Sequence, residues 1–161
     1  MPIWYPPEEI GQKELVGRRL LDNPDTTRST DDDGHPLLKL ADFHESRPGD
    51  DLSVDRLSDL NPNRDTLRAI TCVADADATN RNPVRAFNGW ATIRVQNFRF
   101  VGWVAELAAT PTRSEDGTIE NHWHADVSRD GFREKAHAYT LAVTLQHLFE
   151  LKGGYEAPVR S

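Results

Sequence analysis

A chain of 161 residues, 37% hydrophobic and 28% charged, has the length of one domain and a modest core. Its 26 acidic against 19 basic side chains give a formal charge of −7, which disfavours nucleic acid and anionic membrane surfaces as partners. One cysteine excludes an intrachain disulfide and a cysteine-rich zinc site, and the apolar runs are too short for a membrane span.

Residues 1–50 read as a loop-rich N-terminal region with a short helix, and 51–161 as an α+β core, together forming a single domain. The opening lacks the basic and apolar regions of a signal peptide, so the expected compartment is the cytoplasm. Trp4-Tyr5-Pro6-Pro7 predicts an extended arm whose two aromatics are candidate anchors for a protein partner. Glu8 to Leu21 is expected to form a short helix burying Ile10, Leu15, Leu20 and Leu21. Asn23-Pro24 would end it, because the residue before proline is pushed out of the helical region. Residues 22–36, with Asp31, Asp32 and Asp33 in a row, predict a solvated loop. Leu37, Leu38, Leu40 and Phe43 mark a short strand or helical turn. Residues 51–60 predict a short strand and then a helical turn, stopped at Asn61-Pro62.

Leu67 to Ala74 reads as a β-type run, with Cys72 as a buried small hydrophobe inside it. Residues 75–89 read as loop. Trp90 to Phe98 and Phe100 to Ala109 alternate like half-buried strands, the second with Val101, Trp103, Ala105 and Leu107 on one face. Asp116-Gly117 marks a turn, and Ile119 to Val127 forms the next strand, so an antiparallel hairpin is expected. Asp130 would cap a helix from about 131 to 151, with Ala138, Leu141, Ala142, Leu145, Leu148 and Phe149 facing the core. Gly153-Gly154 would stop it, with Lys152 at the negative end of its dipole. The expected architecture is α+β: a small three-stranded antiparallel sheet packed against this long C-terminal helix, with Trp103 and Trp123 turned inward.

The sharpest chemical feature is His122-Trp123-His124-Ala125-Asp126. On one strand the two-residue period points His122, His124 and Asp126 to the same side, about 7 Å apart, and Glu120 extends that face. With His44 from the first half, these residues would make a zinc or manganese site. A metal-activated water would then make His124 and Asp126 the reacting pair of a hydrolase or nuclease-like enzyme. A solvent-facing polar strand fits the same alternation. Cupin-type sites also start from His-x-His but need a glutamate a few residues on, and none comes before Glu134.

Over seven residues, His122 to Ser128, the segment resembles the His-apolar-His-apolar-His motif of the histidine-triad nucleotide hydrolases. Asp126 stands in place of the third histidine, and Ser128 occupies an apolar slot. The resemblance implies that His124, the middle histidine, attacks a phosphorus atom.

There is no phosphate-binding Walker loop, no Gly-x-Gly-x-x-Gly, no Gly-x-Ser-x-Gly and no His-Glu-x-x-His. The leading expectation is a small acidic accessory protein, immunity- or antitoxin-like, docking on a larger basic protein steered by charge. The alternative is the metal-assisted hydrolase, with the divalent metal as its sole cofactor. A smaller third possibility is a proton-sensitive interface built on the paired imidazoles.

Overall fold

The computed structural model describes residues 2–44, 51–101, 107–128 and 135–161, the side chains of 99–101 and 135–138 excepted. In chain order the elements are β1 (Leu15–Asp22), β2 (Leu52–Ser58), α1 (Arg64–Thr79), β3 (Ala86–Arg94), β4 (Leu107–Ala109), β5 (Thr112–Arg113), β6 (Ile119–Asn121), β7 (His124–Val127), α2 (Lys135–Lys152) and β8 (Gly154–Glu156). Short 3-10 turns occupy Leu40–Phe43 and Val95–Val101. Six strands form one sheet in the order β4-β7-β2-β1-β3-β8, and β5 pairs with β6 apart from it. Every pairing is antiparallel.

The α+β expectation holds, but the sheet is larger than the three strands anticipated, and helices cover both of its faces. On one face α2 and the 40–43 turn close over Val16, Leu20, Val54, Ala91, Ile93, Ala125 and Val127. On the other, α1 packs Leu67, Ile70, Ala74 and Ala78 against Leu57, Phe87, Trp90 and Trp123.

That double coverage overturns the helix expected over 8–21. In Leu-Val-Gly-Arg-Arg-Leu-Leu-Asp the apolar residues are divided between two covered faces and the two arginines are adjacent, so the polar alternation that advertises a strand is missing. In β1, Val16 and Leu20 face the α2 layer while Leu21 packs in the α1 layer. Gly17 lies under an indole, since a Cβ there would sit 2.7–2.8 Å from the Trp90 side chain.

The β-type run expected at 67–74 is instead the middle of α1. Thr66, Leu67, Ile70, Thr71, Ala74 and Ala78 are buried at steps of one, three and four, the stripe of a helix packed on a sheet. The Asn63 side chain caps it, accepting from the Thr66 N–H at 2.8 Å. Cys72 lands on the outer side of this helix and is exposed, contrary to the expectation of burial.

The strand expected at 90–98 starts earlier, at Ala86, and gives way to the 3-10 turn after Arg94. Within the run expected at 100–109, only Leu107–Ala109 is a described strand; Trp103 and Ala105 lie outside the described residues. The hairpin is present: β4 pairs with β7, and β5 with β6 around Asp116-Gly117, where Gly117 takes a φ of +85°. The single strand expected from 119 to 127 is broken at His122–Trp123. Trp123 belongs to the α1-side core while Ala125 and Val127 belong to the α2-side core, so the chain rotates between them.

The C-terminal helix is confirmed over its described residues, with Leu141, Ala142, Leu145, Leu148 and Phe149 buried. The Asp130 cap lies outside the described residues. The Gly153 N–H donates to the Phe149 carbonyl at 2.9 Å, and a side chain at 153 would collide with the Thr92 and Phe149 carbonyl oxygens. Among the described residues no helix is long and apolar enough to cross a membrane.

The N-terminal arm docks on the body. Arg56, 1% exposed, donates to both carboxylate oxygens of buried Glu14 at 2.5 and 3.0 Å, and to the Pro7 and Glu9 carbonyls at 2.5 and 3.2 Å. The Trp123 indole donates to the Trp4 carbonyl at 2.9 Å, and the Trp4 N–H donates to Thr66 Oγ1 at 2.8 Å.

Candidate functional site

The sheet forks. β1 pairs with β2 only through Leu15, Val16 and Gly17, yet it stays on β3 as far as Asp22. The first half of β2, from Leu52 to Val54, pairs only with β7. Between the two prongs opens a cleft of about 770 Å³, within the usual range for a small-molecule site. Its lining is polar. Arg18, Arg19, Arg28, Lys39, Arg81 and Arg85 bring six cations, and Asp22, Asp42, Asp55 and Asp77 bring four carboxylates. Thus an acidic protein concentrates a surplus of positive charge at one opening.

The four carboxylates are held by the protein itself. Buried Arg28 lies between Asp22 and Asp42, donating to Asp22 at 2.7–3.1 Å and to Asp42 at 2.7 and 2.8 Å. Burial would raise the Asp22 pKa, but hydrogen bonds from Arg28, Asn88 and Lys39 outweigh it and bring the carboxyl down to about 2. Burial would likewise lower the Arg28 value, and Asp42 and Asp22 reverse it, so the guanidinium is held above its ordinary range. Arg19 grips Asp55 through two nitrogens at 2.7 and 3.0 Å and reaches Asp77 at 2.9 Å. Here too the carboxylates overcome burial and raise the guanidinium.

His124 lines the same cleft, opposite Asp55 in the β2–β7 register. Its Nδ1 lies 2.8 Å from the Thr110 carbonyl and 2.8 Å from Thr110 Oγ1. A carbonyl only accepts, so Nδ1 carries the proton, and in the neutral ring Nε2 is left with its lone pair. Nε2 is 3.9 Å from Asp126 Oδ1, the oxygen that accepts from Ser53 Oγ at 3.4 Å. His124 and Asp126 are therefore neighbours, as their spacing predicts.

The rest of the expected metal set does not join them. The His122 ring packs edge-on against Tyr5, with centroids 4.9 Å apart, and against Trp123 at 5.6 Å. The turn at 122–123 is what sends it there. His44 reaches the cleft lining from the end of the 40–43 turn, and its ring tilts over Tyr139 at 6.1 Å. Among the described residues no three His, Cys, Asp or Glu side chains are grouped to hold a metal ion. Of the candidate partner anchors, Trp4 is half-buried against the body, with Arg56 6.0 Å from its ring centroid. Tyr5 stacks on Trp123 at 5.6 Å yet stays 57% exposed.

The arginines and aspartates of the cleft were not singled out from the sequence. They are scattered over residues 18–85 and carry no spacing motif; only the surplus of arginine over lysine hinted at planar ion pairing. No protein-family model, curated protein sequence or solved structure matches this chain.

Proposed function

We propose that the protein binds a small polar metabolite in the cleft between β1 and β2, and that His124 performs acid–base chemistry on it. The observation that supports this most is the orientation of His124. The Thr110 carbonyl fixes its tautomer, so the neutral ring keeps a lone pair on Nε2, 3.9 Å from Asp126, while the residue lines a roomy polar cavity. A histidine serving only to solvate a strand has no need of such a fixed partner.

The experiment is a thermal-shift screen of polar metabolites, followed by NMR detection of products from those that stabilise the chain. A ligand at about 100 times its Kd should add about 2.7 kcal/mol of stability. The wild type should convert at least one such ligand, and His124→Asn should bind it without conversion. A screen with no stabilising ligand, or unchanged turnover in His124→Asn, overturns the reading.

A second reading is a small acidic accessory protein docking on a basic protein partner. It is supported by the −7 charge and by Tyr5, held in place on the arm but 57% exposed. Under it, one partner from the native cell binds with an affinity that falls as salt rises, and Tyr5→Ala weakens the complex. Salt-independent binding, or binding indifferent to Tyr5, speaks against it.

A further inference from the structure

We propose that Arg81 and Arg85 form a clamp for a phosphate group on the cleft's ligand. The inference rests on the cleft being a small-molecule site and assigns the chemical class of its occupant.

The cations of the cleft divide into two groups. Arg19 and Arg28 are taken up by the four aspartates, and Lys39 lies 3.3 Å from Asp22. Arg18 donates to the Asp42, Ser53 and His44 carbonyls. The remaining two are different. Arg81 and Arg85 are exposed, line the cleft, and have no side-chain hydrogen bond or ion pair among the described residues. Asp77, one helical turn before Arg81, is already bonded to Arg19. Asp75, the other acid in that turn, is paired with Arg160 at 2.9 and 3.0 Å.

The backbone sets these two arginines side by side. The N–H groups of Arg81 and Arg85 both donate to the Ala78 carbonyl, at 3.3 and 3.0 Å. Their nitrogens are therefore no farther apart than those two distances laid end to end. The loop from 80 to 85 folds back on the end of α1 and presents two guanidinium groups at the rim of one cavity.

Two arginines rooted this close in the backbone and lining one cavity can converge on a dianion with three terminal oxygens, whereas a carboxylate is satisfied by the paired N–H groups of a single arginine. The rest of the cleft, with Ser53, Thr26, Asn23 and Asn121 among its lining, is polar and large enough for the organic part of a sugar phosphate or a nucleotide. Helix-dipole neutralisation at the end of α1 would call for a cation near the last turn, but it gives no reason for two of them to line a cavity.

The test uses the full chain, with inorganic phosphate, ribose 5-phosphate and adenosine monophosphate as probes, and ribose and adenosine as their uncharged counterparts. Binding is read by calorimetry and by phosphorus NMR. Phosphate should bind in the millimolar range or tighter, and the two esters should bind about tenfold or more tightly than their counterparts. The stronger of the two esters identifies a sugar phosphate or a nucleotide as the better model of the occupant. Arg81→Ala and Arg85→Ala should each weaken the esters about tenfold, and the double variant should abolish phosphate binding. Arg64→Ala, an exposed arginine outside the cleft lining, should leave binding unchanged. Both clamp residues are exposed, so melting curves of the variants should overlay the wild type. Equal affinity in the double variant, or no binding of any phosphate probe, overturns the clamp. If no phosphate probe binds, the clamp falls, while the cleft reading stands or falls separately on the metabolite screen and on His124→Asn.

Discussion

The Trp90 indole N–H donates to Asp55 Oδ2 at 2.9 Å, and the same carboxylate takes two hydrogen bonds from Arg19. Trp90 is fully buried and Asp55 is 1% exposed, so a charged group is held inside the sheet where its strands part. Trp90→Phe removes the indole donor together with one ring of a fully buried bicycle. It should cost about 2–4 kcal/mol, read from urea denaturation, because a buried carboxylate loses one partner and the core gains a void. Asp55→Ala should cost more, about 3–5 kcal/mol, by leaving Arg19 with Asp77 alone. If the two variants match the wild type, Asp55 is not the fixed point described.

Acid should act through Asp22. Its carboxyl sits at about 2 in the folded chain against an ordinary 3.8. A lowered folded value stabilises the protein above the unfolded pKa, and that stability drains away as pH falls from about 4 to about 2. The contribution at stake is about 2 kcal/mol. Asp22→Asn should lose stability at neutral pH and show a shallower decline over that window. Urea midpoints measured at neutral pH and at steps through the window check this; a decline as steep as in the wild type assigns the acid response to other groups.

Arg56 holds the arm to the sheet. Arg56→Ala leaves Glu14 buried without its cation and frees the Pro7 and Glu9 carbonyls. The expected cost is about 3–5 kcal/mol. The variant should also be cut early within the first ten residues in limited proteolysis, at protease levels that leave the wild-type arm whole. An arm that stays resistant would mean that the Trp4 contacts hold it without Arg56.

Cys72 faces solvent from α1, so the folded protein should react with one equivalent of Ellman's reagent without denaturant. Cys72→Ser should change stability by less than about 0.5 kcal/mol. A thiol that reacts only after unfolding would contradict the placement of that helix face.

The parts of the fold that were legible in the sequence are those with one wet face. The alternation of residues 124–127, the Asp116-Gly117 turn and the apolar stripe from Leu141 to Phe149 each carry their period in plain sight. β1 hid its nature because both its faces are covered. α1 hid because Ile70-Thr71-Cys72-Val73, rich in β-branched side chains, mimics a strand when the Asn63 cap is overlooked. At the site, the His124–Asp126 neighbourhood follows from a two-residue step. The cleft does not, because it depends on where pairing between β1 and β2 stops, and that is a property of two segments more than thirty residues apart.

Arg18 bridges the opening. Beyond Gly17, among the described residues, β1 no longer pairs with β2, and the Arg18 guanidinium donates to the Ser53 carbonyl at 2.8 Å while also bracing the Asp42 and His44 carbonyls. One side chain thus works as a strut, wedged where backbone amides would otherwise zip. That arginine spans the gap between the prongs, and a shorter residue at position 18 would remove the bonds that cross it.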